Sequence, residues 1–184
     1  MSTLRAEPTW ADILVDYAPE GATAQRLVSQ LVACQAAALA FCRLLERWAR
    51  GEADPSTPGR REAALRRAAE RAETALAGLE LPLGRYLLEL EADQAEGRSW
   101  YGEPGPAELV EWQPVLKRAG VQASPVRVAQ AYLELAVLVR ALEGLAAAAR
   151  IRAAPDPSSL WAGLFDLREN LLGCAVEDLR ALAA

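Results

Sequence analysis

The stretch from Ser124 to Arg152 constrains the fold more than any other part of the chain. Val128, Ala131, Leu135, Leu138, Leu142, Leu145 and Ala149 recur there at alternating spacings of three and four, the seam of a helix packed along its length on others. Ser124-Pro125 marks its start, a capping side chain followed by proline at the first helical position, where the missing N–H costs nothing. At ~1.5 Å per residue this helix is about 43 Å long. It needs partners of similar length.

The sequence supplies one. From Thr23 to about Arg50, Leu27, Leu31, Cys34, Ala38, Phe41, Leu45 and Trp48 follow the same four-three pattern. A second stripe of Val28, Val32, Leu39 and Cys42 widens the apolar surface, which predicts a place near the bundle centre. Laying residue 31 on residue 128 aligns both seams without a gap, and each long helix is followed by an Asp-Pro-Ser linker and a further helix. The pattern reads as two αα-hairpins.

Shorter elements fill in around them. Trp10, Ile13, Leu14 and Tyr17 predict a short lid helix, and Gly51 to Gly59 reads as a loop by its turn chemistry. Arg60 to Glu80 predicts an alanine-rich helix ended by Leu81-Pro82, with a separate helix from Leu83 to about Glu96. Ala107 to Ala119 predicts a helix kinked at Pro114 and closed by Gly120 in the left-handed conformation. A last helix from Ser158 or Ser159 carries Leu160, Leu164, Leu167, Leu171, Ala175, Leu179 and Leu182. Ala, Leu, Arg and Glu dominate, all good helix formers. The expected fold is all-α: one domain over residues 1–184, an antiparallel helical bundle with two long central helices (about 23–50 and 124–152) and shorter flanking ones.

Absences narrow the chemistry. The chain has no histidine, which removes His-based acid–base catalysis, Ser-His and Cys-His nucleophile pairs and His-ligated metals. Neither of the usual glycine-rich phosphate-binding patterns occurs. The net charge of −5 comes from acids and bases mixed along the chain, with no basic half or tail of the kind that attracts nucleic acid or anionic lipid. Cys34, Cys42 and Cys174 are too few for a disulfide framework and read as small apolar side chains filling core gaps. The first ten residues lack an apolar signal core, and the uncharged run from Leu27 to Cys42 is shorter than the ~20 residues that span a bilayer. These features predict a cytoplasmic protein with no membrane partner.

Three patterns could carry function. Glu89, Asp93 and Glu96 share one helical face, with Glu108 and Glu111 further on; such a face could hold a divalent cation and serve a small all-α enzyme, though no histidine completes a Glu-x-x-His pair. Gly97 to Pro106 places Trp100 and Tyr101 in a Gly/Pro-rich loop, where aromatic side chains serve as partner anchors. Residues Leu116 to Val128 resemble the Ala-Gly-Val turn of bacterial helix-turn-helix DNA-binding motifs, with Ala119, Gly120, Val121 and Val126 at matching places. That resemblance implies a DNA-binding regulator with Arg127 at the start of the recognition helix. Arg60, Arg67 and Arg71 form a basic stripe interleaved by Glu70 and Glu73, the pattern of a solvated face. Weighed together, the features favour a non-enzymatic bundle without a cofactor, acting by protein contact or self-association.

Overall fold

The computed structural model describes residues 10–15, 21–52, 56–89, 110–151 and 157–184, with side chains 13, 15 and 145–161 left aside. The fold is an all-α helical bundle, with no strand among the described residues. Its helices are α1 (Trp10–Val15), α2 (Gly21–Ala49), α3 (Pro58–Glu89), α4 (Trp112–Ala119), α5 (Pro125–Ile151), α6 (Pro157–Asp166) and α7 (Gly173–Ala183), with a π-helical segment, Leu167–Leu172, joining α6 to α7.

The long helices form a four-sided bundle in which α2 packs on α3, α3 on α7, α7 on α5 and α5 on α2. A polar clasp crosses each side. Cys34 Sγ donates to the Ala75 carbonyl (3.0 Å) and Thr23 Oγ1 to Glu89 Oε1 (3.0 Å) between α2 and α3. Arg180 reaches Glu73 (2.9 Å) between α7 and α3, Arg127 reaches Asp178 (3.2 Å) between α5 and α7, and Tyr132 Oη donates to Glu46 (3.1 Å) between α5 and α2. Thr23 with Glu89, Arg127 with Asp178 and Tyr132 with Glu46 each join the first part of one helix to the last part of its neighbour, and Arg168 lies beside Gly84 as the later Arg180 lies beside the earlier Glu73, so all four neighbouring pairs are antiparallel. The order is therefore two hairpins, α2–α3 and α5–α7, with α3 ending at one end of the bundle and α5 starting at the other.

The interior is the union of the seams. Leu27, Leu31, Cys34, Ala38, Phe41 and Leu45 of α2 face Val128, Ala131, Leu135, Leu138 and Leu142 of α5, Leu76, Leu79 and Leu83 of α3, and Leu171, Ala175 and Leu179 towards the chain's end, all buried. Buried polar or charged residues are absent among the described ones. Lid helix α1 puts Trp10 and Leu14 into the core, and Tyr86 Oη donates to the Leu14 carbonyl.

Several expectations need correction. Leu81-Pro82 does not end a helix: α3 runs through Pro82 to Glu89. Proline in a helix interior costs about 3 kcal/mol, but Leu83, Tyr86 and Leu87 beyond it are buried, each worth roughly 1.5–3 kcal/mol. Burial outweighs the lost bond. Helix α2 begins at Gly21, and Thr23 clasps Glu89 instead of capping. Nor is α2 central. It occupies one corner of the bundle, with Ser29, Val32, Ala33, Ala36 and Ala40 on an exposed outer face. Small uncharged residues look alike to a hydropathy count whether they are buried or not. Pro114 lies in the first turn of α4 rather than at a kink. The last helix widens to a π-helix at Leu167–Leu172, where steps of four from Leu167 to Leu171 to Ala175 would drift off the core face of a 3.6-residue helix. Cys174 is exposed, whereas Cys34 and Cys42 are buried and their thiols pushed up to about 12 by desolvation.

The α4–α5 turn is fixed by backbone chemistry. Gly120 is left-handed (φ 67°), and the Gly120 and Val121 N–H groups donate to the Lys117 and Leu116 carbonyls, the paired bonds of a Schellman cap. A Cβ on Gly120 would lie 2.9 Å from Pro58, and Arg61 donates to the Ala119 carbonyl (3.0 Å). Gly120→Ala is expected to lose at least ~1–2 kcal/mol in urea unfolding, from left-handed strain plus that contact. Leu135→Asp is expected to unfold the domain, since an unpaired buried carboxylate costs several kcal/mol against a total of ~5–15. A Leu135→Asp variant that melts like the parent would mean the seam is wrongly placed.

Candidate functional site

Of the sequence candidates the structure describes Glu89, at the end of α3, and Arg127, in α5. Arg127 stands in the first turn of α5, its N–H weakly capped by Ser124 Oγ (3.5 Å) and its guanidinium paired with Asp178 of α7. Helix α5 buries Val128, Ala131, Tyr132 and Leu135, so two of its sides are taken by α2 and α7. The Ala119-Gly120-Val121 turn rests on the start of α3, where Glu62 accepts from the Gln122 N–H (2.7 Å). The turn thus works as a bundle joint. Of the carboxylate face only Glu89 is described, and it accepts from Thr23; Asp93 and Glu96 lie outside the described residues. Among the described residues no group of three His, Cys, Asp or Glu side chains could hold a metal ion. Trp100 and Tyr101 also lie outside the described residues.

The structure brings another surface forward. A groove runs between the first half of α2 and the second half of α3. At its upper end a hollow of about 260 Å³ is lined by Ala22, Thr23, Arg26, Leu81, Pro82 and Arg85. Below it, a broader and more open depression of about 790 Å³ is walled by Ser29, Gln30, Ala77 and Gly78, among others. These walls are small for a reason of spacing: Ala22, Arg26, Ser29, Ala33, Ala36 and Ala40 form a second four-three series on α2, offset from the buried one and exposed. On α3, Thr74, Ala77, Leu81, Arg85 and Leu88 form a matching exposed series.

Large apolar side chains stand open here. Leu81 is 64% exposed and Leu88 88% exposed. Pro82 has no N–H to give to the Gly78 carbonyl one turn earlier, and the Gln30 side chain lies across Gly78, 3.1 Å from where its Cβ would be. By length and composition α2 is apolar enough to cross a bilayer, yet only 33% of that stretch is buried. The uncharged run from Leu27 to Cys42 was visible in the sequence as a buried helix; its exposed side was the signal missed.

A separate feature lies between α5 and α7. Glu134 is half-buried, and its carboxyl is pushed up from 4.5 to about 7 by desolvation and then by Asp178 nearby. Its Oε2 is buried with no hydrogen-bond partner among the described residues. No family model, curated protein or solved structure matches the chain.

The folded protein thus holds a proton on Glu134 at pH values where the unfolded chain has released it. The stability this brings is complete below about 4.5 and lost as pH rises through about 7. Glu134→Gln is expected to unfold like the parent at pH 4.5 and to be more stable at pH 8, by roughly 1 kcal/mol once solvent screening is allowed for. Urea titrations at the two pH values measure this difference.

Proposed function

We propose that this bundle works in the cytoplasm as a non-enzymatic contact protein, and that its contact surface is the outer side of the α2–α3 hairpin. One observation carries the reading: a groove whose middle is walled by small uncharged side chains and lined by exposed Leu81, with exposed Leu88 two turns further along α3, on helices whose inner sides already complete the core. Exposed apolar side chains scattered singly are ordinary, whereas a contiguous set around a concavity is a feature of binding surfaces. A groove between two helices is also a common way to receive a third. Among the described residues the carboxylates are spread over several helices, with no group of three that could hold a metal ion.

Binding and stability are separable at this surface. Leu81 and Leu88 bury little within the chain, so Leu81→Asp and Leu88→Asp are expected to melt within a few degrees of the parent. Affinity purification of the full chain at native levels, side by side with the double variant, should lose its specific partner in the variant. If parent and variant retain the same partners, the contact surface lies elsewhere. If the variant unfolds, these leucines belong to the core.

A further inference from the structure

We infer that the occupant of the α2–α3 groove is a helix of another protein with an uncharged middle and carboxylates near both ends. This rests on the contact reading above and adds the chemistry of the partner.

Charge is the first ground. Arg26 and Arg85 line the upper end of the groove, and Arg43 of α2 and Arg67 of α3 stand exposed at the level of its lower end. None of the four pairs with a carboxylate among the described residues, whereas each polar clasp inside the bundle is matched. Between these ends α2 carries no charge at all. On α3, Glu73 holds Arg180 on the side towards α7, and Glu80, two turns on, shares that side. Glu70 sits among Arg66, Arg67 and Arg71 and leaves the lower end net positive. At the upper end the Glu89 carboxylate, tied to Thr23, offsets one of the two arginines, so among the described residues the surface is basic, neutral, basic. Arg26 and Arg43 lie about 26 Å apart along α2 at ~1.5 Å per residue, the span of a five-turn helix.

Shape and charge together choose among occupants. Ser29 and Ala33 facing Ala77 and Gly78 let another backbone approach closely, the requirement of helix-on-helix packing. A surface that enters a bilayer interface instead presents bulky and aromatic side chains, and this one presents none of the aromatic kind. A second copy of the chain fits poorly. Antiparallel pairing through α2 would set Arg26 of each copy opposite Arg43 of the other, and parallel pairing would set Arg26 on Arg26. Like charges so placed select against a partner.

The experiment places the photo-crosslinking residue benzoylphenylalanine at Ala33 in the full chain, in cells of the native host, and identifies crosslinked segments by mass spectrometry. A synthetic peptide of that segment is then titrated against the parent and against Arg26→Glu/Arg43→Glu, after both are shown to melt alike. The expected result is a segment of another protein with helical apolar spacing and flanking Asp or Glu, whose binding weakens about tenfold or more on charge reversal and weakens with added salt. A segment without flanking acids, or one indifferent to the reversal, overturns the inference and leaves the contact reading standing. A crosslink to a second copy does the same. A crosslink to lipid, or none in a chain that melts like the parent, overturns both.

Discussion

Burial of the leucine seams on the inner sides of α2, α3, α5 and α7 is the interaction on which everything else depends. A fully buried leucine contributes roughly 1.5–3 kcal/mol, and Leu27, Leu31, Leu45, Leu79, Leu83, Leu135, Leu142 and Leu179 are completely enclosed. That term is large enough to carry α3 through Pro82 and to hold the last helix in its π-helical turn. Local preference argues for a break at the first of these places. Tertiary burial wins because the helix must continue if Leu83 and Tyr86 are to reach the core.

The polar clasps act differently. Arg180 with Glu73 and Arg127 with Asp178 are partly exposed on the arginine side, and pairs of that kind contribute about 0–1 kcal/mol. Their value lies in register. An apolar seam repeating every three or four residues tolerates a slip of one heptad, whereas Cys34 on Ala75 or Tyr132 on Glu46 can be made in one alignment only. The Schellman cap at Gly120, pressed on Pro58 and tied to Arg61, sets the return of the chain in the same way. The fold thus divides its labour between unspecific burial and a few directional bonds.

This division explains what could be read from the sequence. The two long helices and their inner faces were legible because periodicity survives in a single chain. Gly120 was legible because a left-handed cap has its own residue preference. The partners of Arg127, Glu89 and Thr23 were not, since Asp178 is 51 residues from Arg127 and Glu89 is 66 from Thr23. Continuity through Pro82 and exposure of Cys174 depend on which side a neighbouring helix covers, and a linear pattern does not record that. The metal face and the aromatic loop were named from local spacing alone, and Asp93, Glu96, Trp100 and Tyr101 lie outside the described residues. The α2–α3 groove escaped notice for a related reason: uncharged residues on an outer face have the composition of buried ones.

Helix α2 has two sides with separate duties, an inner one that builds the core and an outer one that the fold does not require. Circular dichroism melting of a chain carrying Ser29→Lys, Ala33→Glu, Ala36→Lys and Ala40→Glu tests that claim most directly. All four positions are exposed, and surface substitutions of this kind usually change stability by no more than about 0.5 kcal/mol each. The account predicts a cooperative melt within a few degrees of the parent. Loss of helical signal at room temperature, or a melt lowered as far as a buried Leu→Ala change would lower it, would contradict it and make the outer side of α2 part of the core.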